Sequence, residues 1–141
     1  MKARVKWVEK RTFLGESGTG HTVVLGNTLG ADGHSLHPSP MELVLIGTGG
    51  CAAFDVVQIL EKSRQPIDGC VAELEAERAE RAPRVFTRIH MHFVVSGRGL
   101  NRDKVARAIR LSADKYCSAS AMIAKTAAMT HDFEIIDSRT G

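Results

Sequence analysis

Residues 39–56 read SPMELVLIGTGGCAAFDV, and this segment specifies the central helix around which the other elements are placed. Ser39 is a good N-cap, Pro40 suits the first helical position, and Glu42 completes a capping box three residues after the serine. The apolar pattern predicts a helix from this start to roughly Ser63, about 24 residues or 36 Å long. The first half of the helix is apolar or small on every side, so we expect it to be buried all round.

The length of this helix points to a second subunit. A compact domain of 141 residues has a radius of gyration of about 14 Å, and hence a diameter of roughly 37 Å. An apolar helix of about 36 Å would therefore cross the entire protomer. A second copy of the chain is its natural cover, so we predict an obligate homodimer.

Shorter elements flank the helix on both sides. Three short strands separated by glycine-containing turns are expected before it, around residues 2–9, 12–17 and 21–25, followed by a loop over 26–38. Two alternating strands are expected after it, at 69–78 and 85–95, followed by two helices and a last strand at about 131–137. The order βββ-α-ββ-αα-β predicts a single α+β domain over residues 1–141, with a sheet packed on central helices.

The spacing of apolar residues assigns a core face to the later elements. In 69–78 the even positions are apolar or small, and glutamates occupy most odd positions. The predicted core face of the next strand carries Val85, Ile89, Met91, Phe93 and Val95. The helix capped by Asn101 is expected to bury a stripe of Val105, Ala108, Ile109, Ser112 and Tyr116. It should bend near Cys117-Ser118 and restart through Ala119 to Ala127.

Composition and charge argue against several classes of protein. The net charge of +3 comes from scattered Lys and Arg, which disfavours a nucleic acid partner. The N-terminus, MKARVKW, reads as an alternating strand rather than a signal peptide. The longest uncharged apolar run, Leu43 to Phe54, has 12 residues, whereas a membrane span needs about 20. We expect a cytoplasmic protein without a membrane partner, whose three cysteines stay reduced.

Cys51 lies within the predicted buried helix, after Gly47, Gly49 and Gly50. Glycine inside a helix costs about 1 kcal/mol relative to alanine, so three glycines need a physical reason. Either a neighbouring helix approaches closely, or the thiol needs room for a ligand. A buried cysteine is also an ordinary core residue, and both interpretations of Cys51 remain open at this point.

Cys117 lies at the predicted break between two helices, where Ser118 can cap the second one. The positive end of that helix should lower the pKa of the thiol. Cys70 begins an alternating strand on its apolar face and is predicted to be a small core residue. Peroxide reduction needs two thiols within reach, one that becomes a sulfenic acid and one that resolves it as a disulfide. Sequence spacing alone does not bring Cys51 and Cys117 together.

The segment SPMELVLIGTGGCAAFDV (39–56), followed by KYCSAS (115–120), resembles the OsmC/Ohr family of osmotically inducible and organic hydroperoxide resistance proteins. The sequence looks most similar to the YhfA-like branch. The resemblance implies an OsmC-like α+β fold, with antiparallel sheets wrapped around long central helices in an intertwined homodimer. It also implies a peroxidase that acts on organic or fatty-acid hydroperoxides, with Cys51 as the peroxidatic and Cys117 as the resolving cysteine. The implied reductant is a dithiol, in some members a lipoylated protein, and no cofactor or metal is required.

Two features depart from the family pattern. The resemblance implies a glutamate shortly before the first cysteine, but an ungapped count places Met41 there and Glu42 one position later. Glu42 is therefore a candidate catalytic residue as well as a helix cap. The implied arginine of the N-terminal strands falls in residues 15–20, where Glu16 stands. The possible substitutes, none of which matches a motif, are Arg11, Arg84 and Arg88.

Charge raises a question about which thiol attacks. Asp55 lies one helical turn after Cys51 and should disfavour a thiolate there unless a cation pairs with it. The helix position favours Cys117 as the more acidic thiol, whereas the resemblance assigns the attack to Cys51. We follow the resemblance and expect a basic group near Asp55 or Cys51, supplied by either subunit.

Other side chains and functions were weighed against ordinary structural roles. His90 and His92 share a strand face and are predicted to form a solvated polar surface rather than a metal chelate. Phe54 is expected to pack in the core rather than line a substrate pocket, and Tyr116 is assigned no chemistry. His34 and His37 are interpreted as loop residues. Two rival functions stay open: a non-catalytic dimer that binds a small apolar or thiol-reactive ligand, and a zinc site formed by both cysteines and a histidine.

Overall fold

The computed structural model describes the chain from Met1 to Thr140. The chain forms two compact units, residues 1–44 and the residues from Leu45 onward. The prediction of a single domain over 1–141 stays a prediction. The element order matches the predicted βββ-α-ββ-αα-β, and the α+β class is confirmed.

The first unit is built on a three-stranded antiparallel sheet in the order β1-β2-β3. The strands are β1 (Ala3–Glu9), β2 (Thr12–Ser17) and β3 (Thr22–Gly26), within a residue or so of their predicted positions. Every residue of β1 is exposed within the chain, including the apolar side chains of Val5 and Trp7.

Helix α1 (Pro40–Lys62) begins and ends with local motifs that its sequence specifies. The backbone N–H of Glu42 donates to the Ser39 hydroxyl over 3.1 Å, and the Ser39 N–H donates to the Glu42 carboxylate over 3.0 Å. This reciprocal pair is the predicted capping box. At the other end, Arg64 has a φ of 59° and its N–H donates to Glu61, while the N–H of Gln65 donates to Leu60. These two bonds form a Schellman motif that stops the helix.

Within residues 1–140, α1 is buried along one stripe, and burial of its remaining surface by a second copy of the chain stays a prediction. The buried residues are Thr48, Gly49, Ala52, Val56 and Leu60. On the other side of the helix, Ile46 and Phe54 are 61% and 67% exposed. By length and composition the helix could cross a membrane, a test that core helices of soluble proteins also pass.

The second unit contains a three-stranded sheet in the order β4-β5-β6. The strands are β4 (Ile67–Arg78), β5 (Phe86–Gly97) and β6 (Ala128–Asp137). β4 pairs antiparallel with β5, whereas β5 pairs parallel with β6, so this sheet is mixed rather than wholly antiparallel. The parallel pair follows from the helices between β5 and β6, because parallel neighbours need a long crossover connection.

The predicted alternation holds along β4 and most of β5, where Ile89, Met91, Phe93 and Val95 are buried. The exception is Val85, which is 38% exposed and precedes the strand, while Phe86 is buried instead. The register explains this error. Arg78 pairs with Phe86 and Glu77 pairs with Arg88, so Thr87 is an extra residue on β5. A β-bulge of this kind reverses the faces of the residues before it.

Two helices and a π-helical segment connect β5 to β6. Asn101 caps α2 (Arg102–Leu111) by accepting the N–H of Lys104, as its position predicts, and Val105, Ala108 and Ile109 are buried. Residues Ser112–Tyr116 form a π-helical turn, in which the N–H of Cys117 donates to Ser112.

The π-helical turn explains why Tyr116 is 50% exposed rather than part of the buried stripe. The wider turn rotates the following side chains away from the α-helical face. The chain then forms helix α3 (Ser118–Ile123), which ends before Ala127, its predicted last residue. Strand β6 begins at Ala128. The largest fully buried side chains of this unit come mainly from α1, β5 and α2.

Candidate redox site

Cys51 lies midway along α1, in the half-buried band beside the buried stripe. Asp55, four residues later, occupies the same side of the helix one turn on. A Cβ at Gly49 would lie 2.6 Å from Cδ1 of Leu74 on β4, so this glycine makes room for a strand side chain rather than for a neighbouring helix. A Cβ at Gly47 or Gly50 would meet nothing within 4 Å among residues 1–140.

Cys117 is the residue at which the chain leaves the π-helical turn and enters α3. Its backbone is extended, with a ψ of 103°, and Cys117 itself, rather than Ser118, is the N-cap of α3. Its sulfur is buried and accepts hydrogen bonds from the Ser120 hydroxyl over 3.0 Å and from the Ser120 N–H over 3.4 Å.

The expected acidity of Cys117 is wrong, because burial raises the pKa of this thiol. The two donors of Ser120 lower the pKa, and the hydrogen bond and charge shared with Cys51 raise it further. Helix α3 has only six residues, and burial is the largest influence on the pKa of this thiol. Cys117 therefore keeps its proton more firmly than an ordinary cysteine.

The fold brings Cys51 and Cys117 together although they are 66 positions apart (117 − 51). The Sγ atoms of both cysteines and a carboxylate oxygen of Asp55 all lie within 4.8 Å of one another. Both cysteines are free thiols. A disulfide has an S–S length of about 2.05 Å, so the two sulfurs must approach by no more than about 2.8 Å to bond.

Ser112, at the start of the π-helical turn, contacts the Asp55 carboxylate of this cluster. Its buried hydroxyl lies 3.2 Å from the carbonyl oxygen of Ala52 and 3.4 Å from Oδ2 of Asp55, to which it donates. The sequence assigned Ser112 only to the packing stripe of α2. Its contact with Asp55 depends on a π-helical turn that the apolar pattern does not indicate.

Among residues 1–140, no ion pair includes Asp55. Asp55 does line a groove of about 370 Å³ together with Lys62, Arg107 and Tyr116. The expected basic groups therefore border the same groove without a direct ion pair. Sequence reasoning missed Arg107, because its position on the exposed side of α2 is typical of a solvated charge.

A cavity of about 520 Å³, lined by both apolar and polar side chains, lies next to residues that neighbour or contact the redox cluster. Ala52, Ser112 and Ser120, which neighbour or contact the cysteines and Asp55, line one part of it. Met91, Phe93 and other side chains of the sheet line another part. Phe54, predicted to pack in the core, instead borders a separate groove of about 360 Å³ on the exposed side of α1.

Cys70 lies apart from this cluster, opposite Val95 in the β4–β5 pairing. It is half-buried, and burial raises the pKa of its thiol. This environment fits the predicted role of a small core residue and makes Cys70 a suitable control position.

The sequence comparison decides the family of this chain. The family model described as OsmC-like protein matches residues 32–132. The chain belongs to the OsmC family. The OsmC relative Protein YhfA of Escherichia coli K12 is 51% identical over 136 residues, which cover 96% of this chain and 98% of that protein.

Solved structures agree with an OsmC-like fold. One chain from structural genomics is 48% identical, has a TM-score of 0.86, and is matched over 98% of this chain and 100% of its own length. The organic hydroperoxide resistance protein OhrB of Bacillus subtilis is 16% identical, with a TM-score of 0.63 over 95% of this chain and 98% of its own. The OsmC-like fold predicted from the sequence is therefore confirmed.

The arginines considered as activating groups of an OsmC protein have other contacts in this chain. Arg88 pairs with Glu77 over 3.5 Å, and Nε of Arg84 donates to the carbonyl of Ala79 over 3.2 Å. In the first unit, Arg11 donates to the carbonyl of Lys10 over 3.2 Å.

Glu42 is engaged at the start of α1. The hydrogen bonds from Ser39 hold the pKa of the Glu42 carboxyl below its usual range. These bonds account for Glu42 as a helix cap, and its catalytic role stays a prediction.

His90 and His92 face the surface of the second sheet, where they form a hydrogen-bonded network with β6. The Nε2 atom of His90 and the Nδ1 atom of His92 lie 3.0 Å and 2.7 Å from the same Oδ1 of Asp132. The hydrogen bond with Asp132 raises the pKa of His92, and the bond with His92 lowers the pKa of Asp132. Both imidazoles are partly exposed, as predicted for a polar face.

Proposed function

We propose that this protein is a thiol peroxidase that reduces organic hydroperoxides, with Cys51 as the attacking and Cys117 as the resolving cysteine. The observation that carries the proposal is the approach of the two sulfur atoms to within 4.8 Å. Cys51 is half-buried and therefore reachable, whereas Cys117 is buried and keeps its proton. This difference supports Cys51 as the thiol that meets the peroxide first.

In the first step the Cys51 thiolate attacks the outer oxygen of the hydroperoxide ROOH. The O–O bond breaks, Cys51 becomes a sulfenic acid, and the leaving alkoxide takes a proton to form the alcohol ROH. In the second step the sulfur of Cys117 attacks the Cys51 sulfur and displaces water, which forms the Cys51–Cys117 disulfide. An external dithiol, for which a lipoylated protein is our candidate, restores both thiols by exchange.

Two observations support an organic rather than an inorganic peroxide. The cavity of about 520 Å³ near the thiols has an apolar part lined by Met91, Phe93 and several alanines, which suits an apolar tail, while Asp114 and His131 line a polar part. The relative OhrB of Bacillus subtilis, which shares the fold, is named for resistance to organic hydroperoxides.

The working form is proposed to be a cytoplasmic homodimer. Ile46 and Phe54 leave an apolar face of α1 exposed in the chain, and Gly47 and Gly50 leave room for another backbone to approach it. A reducing compartment would keep both thiols ready for the next cycle. Analytical ultracentrifugation tests the dimer. Phe54→Ser should shift the protein towards the monomer, while the matched change Val71→Ser, at an exposed residue of β4, should not.

A second function is a non-catalytic dimer that binds an apolar ligand, and the same cavity favours it. The two functions differ in what happens to the thiols. We would add one equivalent of cumene hydroperoxide to the reduced protein, count free thiols and map disulfides by mass spectrometry. The peroxidase should lose two thiols per chain and form the Cys51–Cys117 disulfide, and a Cys70→Ser control should behave identically.

The variants make this test decisive. Cys51→Ser should abolish peroxide consumption, whereas Cys117→Ser should consume one equivalent and stop at a Cys51 sulfenic acid that dimedone traps. Unchanged thiols in the wild-type protein would refute the peroxidase proposal, and retention of the hydroperoxide by the unreacted protein would favour the binding protein.

A further inference from the structure

Three metal-ligating side chains converge at the redox cluster, namely Cys51, Asp55 and Cys117. We propose that these three residues bind one Zn²⁺ ion through two thiolates and a carboxylate. The arrangement differs from the zinc site considered from the sequence, because the third ligand is Asp55 and no histidine within residues 1–140 belongs to the cluster.

The distances suit a tetrahedral metal site. Zinc lies about 2.3 Å from thiolate sulfur and about 2.0–2.2 Å from carboxylate oxygen. Two such ligands at tetrahedral angles are therefore roughly 3.5–3.8 Å apart. The three donor atoms already lie within 4.8 Å of one another, so each pair needs to close by no more than about 1.3 Å.

The backbone fixes the three ligands in place. Cys51 and Asp55 are one turn apart on α1, and Cys117 is held at the junction where the π-helical turn meets α3. Ligands held on one helix and at a helix junction lose little conformational freedom when a metal binds.

Hydrogen bonds around the ligands are also in place. The Ser120 hydroxyl and N–H donate to the Cys117 sulfur, and Ser112 donates to the Asp55 carboxylate. Hydrogen bonds from surrounding residues orient metal ligands and stabilise the charged forms of those ligands. Both serines are buried and are therefore shielded from competing water.

Charge supplies an independent argument for a cation. Two thiolates and a carboxylate carry a charge of −3, and within residues 1–140 Asp55 has no ion-pair partner. A bound Zn²⁺ reduces this local charge to −1. The soft sulfur donors favour zinc over magnesium or calcium, which prefer oxygen ligands. Cys51 and Asp55 are only half-buried, which leaves access for the ion and a water as fourth ligand.

Zinc would hold the thiols reduced and unreactive, and this consequence rests on the proposed peroxidase function. Binding replaces the two thiol protons with the metal, so that neither sulfur is free to attack a peroxide. Oxidation to the disulfide removes both sulfur donors, delivers two electrons to the hydroperoxide, and releases the ion. The cluster would thus exist either as a zinc site or as a disulfide.

The test is a zinc titration of the reduced protein against a chromophoric chelator, with Co²⁺ as a spectroscopic probe. We expect one Zn²⁺ per chain and a thiolate-to-cobalt charge-transfer band. Removing a residue that only hydrogen-bonds to a metal ligand lowers metal affinity by about 10–100-fold. Removing a ligand itself should therefore lower zinc affinity by at least about 100-fold. Cys51→Ser and Cys117→Ser should show this loss, and Asp55→Asn should show it while it retains both thiols. Circular dichroism checks that each variant is folded.

Two controls separate this site from other donors. Cys70→Ser should bind zinc normally, and so should the double variant His90→Gln, His92→Gln, which removes the surface imidazoles. The proposal is overturned if the wild type binds less than half an equivalent, if Asp55→Asn binds as tightly as the wild type, or if a control variant loses the ion.

A peroxidase assay on the same samples keeps the two proposals apart. Stoichiometric zinc without peroxide consumption by the zinc-free protein would refute the proposed function alone, and the reverse would refute the zinc site alone. If both hold, one equivalent of zinc should slow thiol oxidation and a chelator should restore the rate.

Discussion

Replacing Ser120 with alanine tests whether this serine sets the speed of disulfide formation. The change removes the hydroxyl that donates to the Cys117 sulfur over 3.0 Å and retains the backbone N–H donor at 3.4 Å. Because the hydroxyl lowers the pKa of the buried Cys117 thiol, its loss should raise that pKa. A hydrogen bond of this kind contributes about 1 kcal/mol, which corresponds to roughly a fivefold change in population.

Single-turnover kinetics resolve the step that Ser120 affects. In a Cys70→Ser background, quenched samples would be trapped with dimedone and analysed by mass spectrometry, which separates sulfenic acid formation from disulfide formation. At neutral pH we expect the first step to be unchanged and the second to be roughly fivefold slower. At alkaline pH, where Cys117 is ionised in both proteins, the two rates should converge.

The matched control is Ser118→Ala, which removes an exposed hydroxyl from the same helix. It should leave both steps at their original rates. The reasoning is refuted if Ser120→Ala leaves disulfide formation unchanged at neutral pH, or if it slows sulfenic acid formation by the same factor.

Three further predictions concern stability and titration. Gly49→Ala should gain less in urea unfolding than the roughly 1 kcal/mol expected when alanine replaces a glycine inside a helix, because its Cβ overpacks a neighbouring leucine; a gain of the full amount would contradict the packing assignment. Ser39→Ala removes the cap hydroxyl and should cost about 0.5–2 kcal/mol, and an unchanged urea midpoint would count against it. Asp132→Asn should lower the pKa of His92 in an NMR titration. The raised pKa of His92 stabilises the fold at low pH, and this stabilisation should be lost as the pH rises through that pKa. Asp132→Asn should therefore lose less stability over the same pH range.

Local sequence signals accounted for much of the fold. The capping box at Ser39 and Glu42 and the cap at Asn101 fixed the starts of two helices, because each bond joins residues three positions apart. The alternation along β4 assigned its two faces correctly. The errors arose where one extra residue changes the period. Because of the bulge at Thr87, Phe86 rather than Val85 lies in the core. The π-helical turn places Tyr116 at the surface.

The candidate site was predictable in its residues but not in its electrostatics. The glycine-rich approach to Cys51 and the helix junction at Cys117 singled out both thiols, and the family resemblance paired them. Burial reversed the expected acidity of Cys117, because desolvation depends on the packing of α3 rather than on the neighbouring sequence. The contact between Ser112 and Asp55 likewise could not be predicted from the sequence, since the two residues are 57 positions apart.

Asp55 is the residue that a peroxidase alone does not explain. A carboxylate within 4.8 Å of both sulfurs opposes the thiolate that attacks a hydroperoxide, and no basic side chain of residues 1–140 pairs with it. The same carboxylate completes a set of three anionic donors for a divalent cation. Catalysis and metal binding therefore place opposite demands on this position. Asp55→Asn should accelerate the reaction of the zinc-free protein with peroxide while it weakens zinc binding, and a residue that served only packing would change neither.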